Sequence, residues 1–149
     1  MEATIALRLP RDAASVPVIR QMLDSSLNAL GVQRQIREDI QLMLSEACSN
    51  VIKHAAASDD YMVRTELCHD RCVIKVVDAG KGFDFTGAHE APPGAESGRG
   101  LQIMEALADK IHFDRRKEQG SIVCLEKELR FDKDAPGESL LLNDELEFR

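Results

Sequence analysis

The sequence predicts an α/β (α+β) two-layer sandwich in which helices cover one face of a mixed, mostly antiparallel sheet. Apolar residues recur at helical spacing in some segments, and they alternate with polar residues or cluster in shorter ones. The predicted strands mostly follow one another through short turns, and such turns favour antiparallel neighbours because a parallel pair needs a long crossover. The chain of 149 residues is long enough for one such domain.

The first part of the chain is predicted to form one strand and two helices. Residues 4–9 alternate apolar and polar side chains, and Pro10 ends this strand. Apolar residues at helical spacing predict a helix over 16–30, which Gly31 terminates. A second amphipathic helix is predicted over residues 33–57.

The second part is predicted to form two strand pairs separated by a helix. Segments rich in β-branched residues indicate the strands, and Gly- or Asp-containing turns at 69–70 and 119–120 connect them. The predicted elements are strands at 61–67 and 72–77, a helix at 101–109, and strands at 111–115 and 121–129.

Composition excludes some classes of function. The formal net charge of −7 argues against nucleic acid as a direct partner, because phosphate binding needs a basic surface. No apolar run is long enough to span a bilayer and no signal-peptide pattern begins the chain, so we expect a cytoplasmic protein without membrane contact. The four cysteines form no CxxC pair, and we expect reduced, packed thiols.

Residues 131–149 differ in composition from the rest. They hold six acidic residues against two basic ones. We therefore predict a domain over residues 1–130 followed by an acidic C-terminal tail over 131–149. The apolar residues at 140–142 and at Leu146 and Phe148 leave two alternatives open, docking on the body or on a partner, and disorder.

Three polar residues recur on the second predicted helix. Glu46, Asn50 and His54 are spaced four apart, so they lie along one edge of the helix, next to its apolar stripe. An amide oxygen is a good ligand for a Mg²⁺ ion that also carries phosphate oxygens and water, and a carboxylate one turn away can accept a proton. On spacing alone, a solvated helix face explains the same pattern.

Two further motifs lie around a Gly/Pro-rich loop over residues 79–100. Asp78 ends an apolar strand, where a buried carboxylate needs a hydrogen-bond donor such as a purine amine, and Gly80 and Gly82 let the backbone approach a flat ligand. A Gly-rich turn over residues 97–101 then opens a helix, whose free N–H groups favour phosphate. A strand-ending turn and a solvated loop are the simpler explanations of each motif taken alone.

The order and spacing of these motifs resemble the N, G1 and G2 boxes of the gyrase/chaperone/histidine-kinase/mismatch-repair ATPase superfamily. The resemblance covers residues 3 to about 129 and implies a Bergerat-type ATP-binding fold. Within the superfamily, segments 45–55 and 98–104 are similar to those of anti-sigma-factor serine/threonine kinases, the stand-alone kinases of bacterial partner-switching systems.

The resemblance implies an activity and its partners. It implies a kinase that uses ATP and Mg²⁺ to phosphorylate a small STAS-type anti-anti-sigma protein and that sequesters a sigma factor or an analogous target, commonly as a homodimer. One alternative is a nucleotide-binding module that sequesters a partner without phosphorylating it, although mere binding does not require Glu46. A histidine-kinase catalytic domain is disfavoured, since no helix with a phospho-accepting histidine precedes it. A target outside sigma pathways is also open.

The resemblance also implies roles for individual residues. Glu46 is the general base, Asn50 is the Mg²⁺ ligand, and Asp78 accepts the adenine amino group. The adenine pocket and the phosphate loop involve Gly80, Gly82, Gly98, Arg99, Gly100 and Leu101.

Three further residues match family positions less specifically. Ser121 matches a hydroxyl that supports the base-binding Asp, and an edge-strand serine is equally compatible with the sequence. Lys53 matches a phosphate-reaching basic position, for which a surface lysine is the alternative. Arg20 matches a partner-contacting arginine, for which a solvated helix arginine is the alternative.

Overall fold

A computed structural model describes residues 1–54, 59–78, 96–116 and 120–142 of the chain. The predicted element order is confirmed in these ranges, and one further helix follows. The elements are β1 (Glu2–Pro10), α1 (Ser15–Ala29), α2 (Arg34–His54), β2 (Asp60–Cys68), β3 (Arg71–Asp78), α3 (Glu96–Leu107), β4 (Lys110–Arg116), β5 (Gly120–Glu128) and α4 (Pro136–Leu142).

The strands form one sheet in the order β1-β2-β3-β5-β4. All four neighbouring pairs are antiparallel, which confirms the mostly antiparallel prediction. A mixed sheet would also contain a parallel pair, and the described strands contain none. The reason lies in the connections, since β2 joins β3 through the two-residue turn His69–Asp70, with His69 in the left-handed region at φ 54°.

Helices pack against one face of this sheet, as predicted. Alternate residues of β2 and β3 are buried there, and the other residues of both strands are more exposed. The apolar stripe of α2 packs onto this face, and its four members, Ile40, Leu44, Ala47 and Val51, are all buried. Burying a large aliphatic side chain stabilises a fold by about 1.5–3 kcal/mol, so this stripe fixes which side of α2 faces the core.

The third helix begins earlier than the sequence predicted. It starts at Glu96, five residues before the predicted first residue Leu101, so the Gly-rich segment belongs to the first turns of α3 and not to a turn preceding it. Glycine is less favourable than alanine in a helix interior by about 1 kcal/mol. Because of this preference, the sequence placed the start of the helix after the glycines, which is too late. Packing of α3 against α2 overrides that preference.

The segment after β5 docks on the domain. Phe131 forms a β-bridge with Val32, and the N–H of Asp132 donates to the carbonyl of Gly31 at 2.8 Å. Leu141 of α4 is fully buried in the same core as the helices and sheet. Residues 131–142 therefore dock on the body of the domain. The division of the chain into a domain and a tail at residue 130 stays a prediction.

Leu141→Ala is expected to lower the free energy of unfolding by about 2–4 kcal/mol, because it opens a cavity in a packed core. The neighbouring Leu140 is 41% exposed, so Leu140→Ala is a matched control that should cost under about 0.5 kcal/mol. Urea denaturation of both variants measures the difference. Equal, small effects at the two positions would contradict the docking of α4.

The cysteines agree with the expectation of reduced thiols, since Cys48, Cys68, Cys72 and Cys124 are all free. Burial raises the pKa of Cys48 and of Cys72 to about 12, so both thiols stay protonated at neutral pH. In the described ranges, no helix combines the length and the apolar character that crossing a membrane requires.

Candidate functional site

The site is built on one edge of α2. Glu46 and Asn50 lie one turn apart, next to the stripe that packs on the sheet. The Asn50 side chain is buried at 7% exposure, while Glu46 is partly exposed. The neighbouring residues determine the orientation of a buried amide, and the neighbours of Asn50 include Gly100 of α3.

Gly100 of α3 lies directly against both side chains. A Cβ atom built on Gly100 would stand 2.8 Å from Oε2 of Glu46 and 3.4 Å from both Oδ1 and Nδ2 of Asn50. Contacts of 2.8 Å are closer than real Cβ atoms allow, so a side chain at position 100 would force the Glu46 carboxylate, at the end of its flexible side chain, to shift. The structure thus brings together residues from two motifs that are about 50 positions apart in the sequence, Glu46 and Asn50 on α2 and Gly100 on α3.

Asp78 lies at the end of β3 and is fully buried. Its Oδ1 accepts a hydrogen bond of 2.6 Å from Nη2 of Arg11, and the two side chains form an ion pair. A buried carboxylate is costly without such a partner, and removing one member of a buried pair typically costs 3–5 kcal/mol. Arg11 therefore supplies a hydrogen-bonding partner for this buried carboxylate.

The same arginine reaches the helix that carries Glu46 and Asn50. Nη1 of Arg11 donates to the carbonyl oxygen of Val51 at 2.8 Å, in the last turn of α2. Carbonyls in a final turn need a donor from outside the helix, and a cation there also complements the helix dipole. Through Arg11, the end of β3 is fixed relative to the α2 edge.

Sequence reasoning did not find Arg11. It follows a strand-ending proline and precedes an aspartate, which is the pattern of an ordinary solvated turn. Its partners lie 40 and 67 residues further along the chain, so no local pattern reports the contact.

Of the remaining predicted residues, three lie on the helices α2 and α3 and one lies on strand β5. Leu101 is buried in α3 and Arg99 is exposed there, while Lys53 is exposed on the last turn of α2. Ser121 of β5 is the cross-strand partner of Asp78, which places its backbone beside the predicted base-binding position.

Four other predicted positions lie elsewhere in the chain. Gly98 lies in the first turn of α3, where backbone N–H groups are not used within the helix. Arg20 is exposed on α1. Gly80 and Gly82 lie outside the described residues.

The donor set fits a magnesium ion that is held mainly by a nucleotide. Among the described residues, no cluster of three or more His, Cys, Asp or Glu side chains is arranged to hold a metal. Mg²⁺ commonly binds through one or two protein oxygens together with phosphate oxygens and water. The buried amide of Asn50 offers one such oxygen, with the carboxylate of Glu46 next to it.

Known proteins resemble this chain in sequence. The profile of the histidine kinase-like ATPase domain matches residues 9–127. A serine-protein kinase RsbW from Bacillus subtilis is 29% identical over 138 residues, covering 84% of this chain and 85% of its own. RsbW from Bacillus pumilus is 32% identical over 72% of this chain and 75% of its own, and RsbW from Staphylococcus epidermidis is 30% identical over 85% and 87%.

Solved structures resemble the fold. The RsbU and RsbW domains of a Mycobacterium tuberculosis protein match with a TM-score of 0.66 and 18% identity, over 88% of this chain and 35% of that one. The histidine kinase domain of a blue-light activated kinase from Erythrobacter litoralis matches with a TM-score of 0.54, 18% identity and 91% coverage of this chain and 66% of that one. Both likenesses confirm the predicted fold class.

Proposed function

We propose a function from one premise: the chain belongs to the histidine kinase-like ATPase family, and within it to the serine-protein kinases of the RsbW type. It is a serine/threonine protein kinase that uses ATP. We infer that its substrate is a serine or threonine of a small STAS-type anti-anti-sigma protein. Its second role is to sequester a sigma factor or an equivalent target.

One observation supports the kinase proposal more than any other. Gly100 brings the backbone of α3 against both Glu46 and Asn50, so a proton acceptor and a metal-binding amide adjoin the helix start where phosphates are expected. A module that only binds nucleotide does not require a carboxylate there. The placement of Glu46 therefore favours the kinase over the sequestering module without activity.

In the proposed reaction, the substrate hydroxyl attacks the γ-phosphorus and gives its proton to the carboxylate of Glu46, and the bond to the ADP oxygen breaks. Asn50 would hold Mg²⁺ through its amide oxygen, and the bound ion would neutralise charge on the phosphate oxygens. Phosphoryl transfer depends mostly on positioning and electrostatic stabilisation, so few protein groups are needed.

The nucleotide is proposed to extend from β3 to α3. Asp78 accepts the adenine amino group, with support from Ser121, and the glycines at 80 and 82 shape the base pocket. Residues 98–101 of α3 are proposed to surround the phosphates, and within this group the free backbone N–H groups are those of the first turn, at Gly98 and Arg99. Lys53, exposed one turn beyond Asn50, reaches the same phosphates.

The test is transfer of labelled γ-phosphate from ATP to a candidate STAS-type protein in the presence of Mg²⁺. We expect one modified serine or threonine, identified by mass spectrometry, and no transfer when the metal is chelated. Nucleotide binding without any transfer to a substrate that the protein binds would instead support the sequestering module.

For partner binding we propose the exposed face of α1. Arg20 is exposed on this helix, and so are Val18 at 50% and Met22 at 43%. Val18 and Met22 are four residues apart and form one apolar pair, while Arg20 points to a different side of the helix. Exposed arginine is enriched in protein interfaces, which supports Arg20 as the contact residue. The net charge of −7 favours a protein partner over nucleic acid. We place this interaction in the cytoplasm, and a homodimer is the assembly we expect.

Arg20→Ala is expected to weaken binding of the protein partner roughly 10- to 100-fold, as loss of an interface arginine commonly does. Arg34→Ala is the matched control, because Arg34 is an exposed helix arginine whose ion pair with Glu38 is local. Calorimetric titration with the partner measures both. An equal response of the two variants would remove Arg20 from the interface, and ATP affinity should be unchanged in each.

A further inference from the structure

We propose that Arg11 is a positioning residue that fixes the Asp78 carboxylate for a purine carrying a 6-amino group, and so determines the preference for adenine. The proposal rests on the proposed role of Asp78 in binding the base. It adds a residue directly after β1, to which neither the motifs nor the family resemblance assigned a role.

The first argument comes from burial and charge. Asp78 has no exposure to solvent, and the Arg11 side chain has only 11%. Water is therefore not available to orient this carboxylate, and its direction depends on protein donors. The 2.6 Å bond from Nη2 of Arg11 to Oδ1 is short, as expected for a charge-assisted hydrogen bond.

The second argument comes from the other contact of the guanidinium. Nη1 donates to the carbonyl of Val51, an atom held in the backbone of α2, at 2.8 Å. A planar guanidinium with two of its nitrogens in use cannot rotate without losing one of the bonds, whereas a lysine ammonium is a single point of charge. The backbone of α2 thus determines, through Arg11, where Oδ1 of Asp78 stands.

The third argument concerns which bases such a carboxylate accepts. An ionised carboxylate only accepts hydrogen bonds, so a 6-amino group can donate to it and a purine without that group cannot. A hydrogen bond to a charged acceptor discriminates roughly 10- to 100-fold when its partner is removed. Discrimination between the two kinds of purine requires that the Asp78 carboxylate keeps a fixed direction. The hydrogen bond from Arg11 holds it in that direction.

The experiment compares two nucleotides that differ only at the 6-position, ADP and purine riboside 5′-diphosphate, by calorimetric titration with Mg²⁺. The unchanged protein should prefer ADP roughly 10- to 100-fold. Arg11→Met keeps the apolar stem and removes both donors, and we expect its preference to fall below about 3-fold. Arg11→Lys should be intermediate, since the charge remains and one of the two contacts is lost. Arg8→Met, on an exposed position of β1, is the control that keeps the full preference.

The outcomes separate the two proposals. If Arg11 has a merely structural role, its variants bind both nucleotides more weakly by the same factor and the preference survives, which overturns the inference. Asp78→Ala should abolish the preference. If it does not, or if the unchanged protein shows none, the proposed base-binding role of Asp78 is wrong, and the inference is lost with it. Should Arg11→Met fail to fold in a thermal melt, Arg11→Lys decides by the same ratio.

Discussion

Glu46→Gln is expected to lower the rate of phosphoryl transfer by a factor of about 10² to 10⁴, the range that general base catalysis contributes. Glutamine keeps the size of the side chain and its position against Gly100, but it cannot accept the proton of the attacking hydroxyl. Single-turnover transfer from ATP to the substrate protein measures the chemical step. ATP affinity should change less than about 3-fold, since the base acts on the substrate hydroxyl.

Glu38→Gln provides the matched control on the same helix. Glu38 is more than half exposed, and its ion pair with Arg34 is local to the start of α2, so this change should leave the rate intact. If Glu46→Gln transfers phosphate at the original rate, Glu46 is not the base. If it loses ATP binding as well, the carboxylate serves the nucleotide and not the proton transfer.

The second large effect is expected from Gly100→Ala. The added methyl group would stand 2.8 Å from Oε2 of Glu46, and the carboxylate, at the far end of a flexible side chain, has to move. A displacement of about 1 Å at a reacting group can cost 10²-fold in rate, so we expect a loss of that order. The fold should not suffer, because alanine is favoured over glycine in a helix by about 1 kcal/mol.

Gly100→Ala is expected to abolish activity without lowering stability, and this combination distinguishes a displaced carboxylate from a damaged fold. Thermal unfolding should show an unchanged or higher midpoint while transfer is lost. Gln102→Ala, at an exposed position of α3, is the control in which neither quantity changes. A fully active Gly100→Ala protein would show that the contact between α3 and Glu46 has no part in catalysis. Strong destabilisation would show that Glu46 cannot move aside.

Periodicity was sufficient to predict the elements from β1 to β5 and their order, while α4 was not predicted. The α2 stripe from Ile40 to Val51 and the alternation in β2 are local patterns, and packing obeys them directly. The start of α3 was predicted five residues too late because glycine propensity is also local, whereas the contact of Gly100 with Glu46 is not. Local patterns therefore fail where a distant partner decides.

The same distinction applies to the site. Glu46, Asn50 and Asp78 could be selected because their spacing matches known motifs, and the structure places Gly100 against the first two. Arg11 could not be selected, since its role depends on Val51 and Asp78 far along the chain. The docking of α4 was also undecided, because a short apolar segment such as 140–142 is compatible with several environments.

The position of β1 at the edge of the sheet has a consequence for the order of folding events. Pro10 pairs with Asp60 and Glu2 with Cys68, so closing this pair brings together segments separated by 50 residues or more. The β2–β3 hairpin closes across two residues at a much smaller entropic cost. Early structure should thus grow from that hairpin and β1 should join late. Arg11, which follows β1, then meets Asp78 only when the rest of the sheet has formed, and a nucleotide that needs this pair selects molecules whose folding is complete.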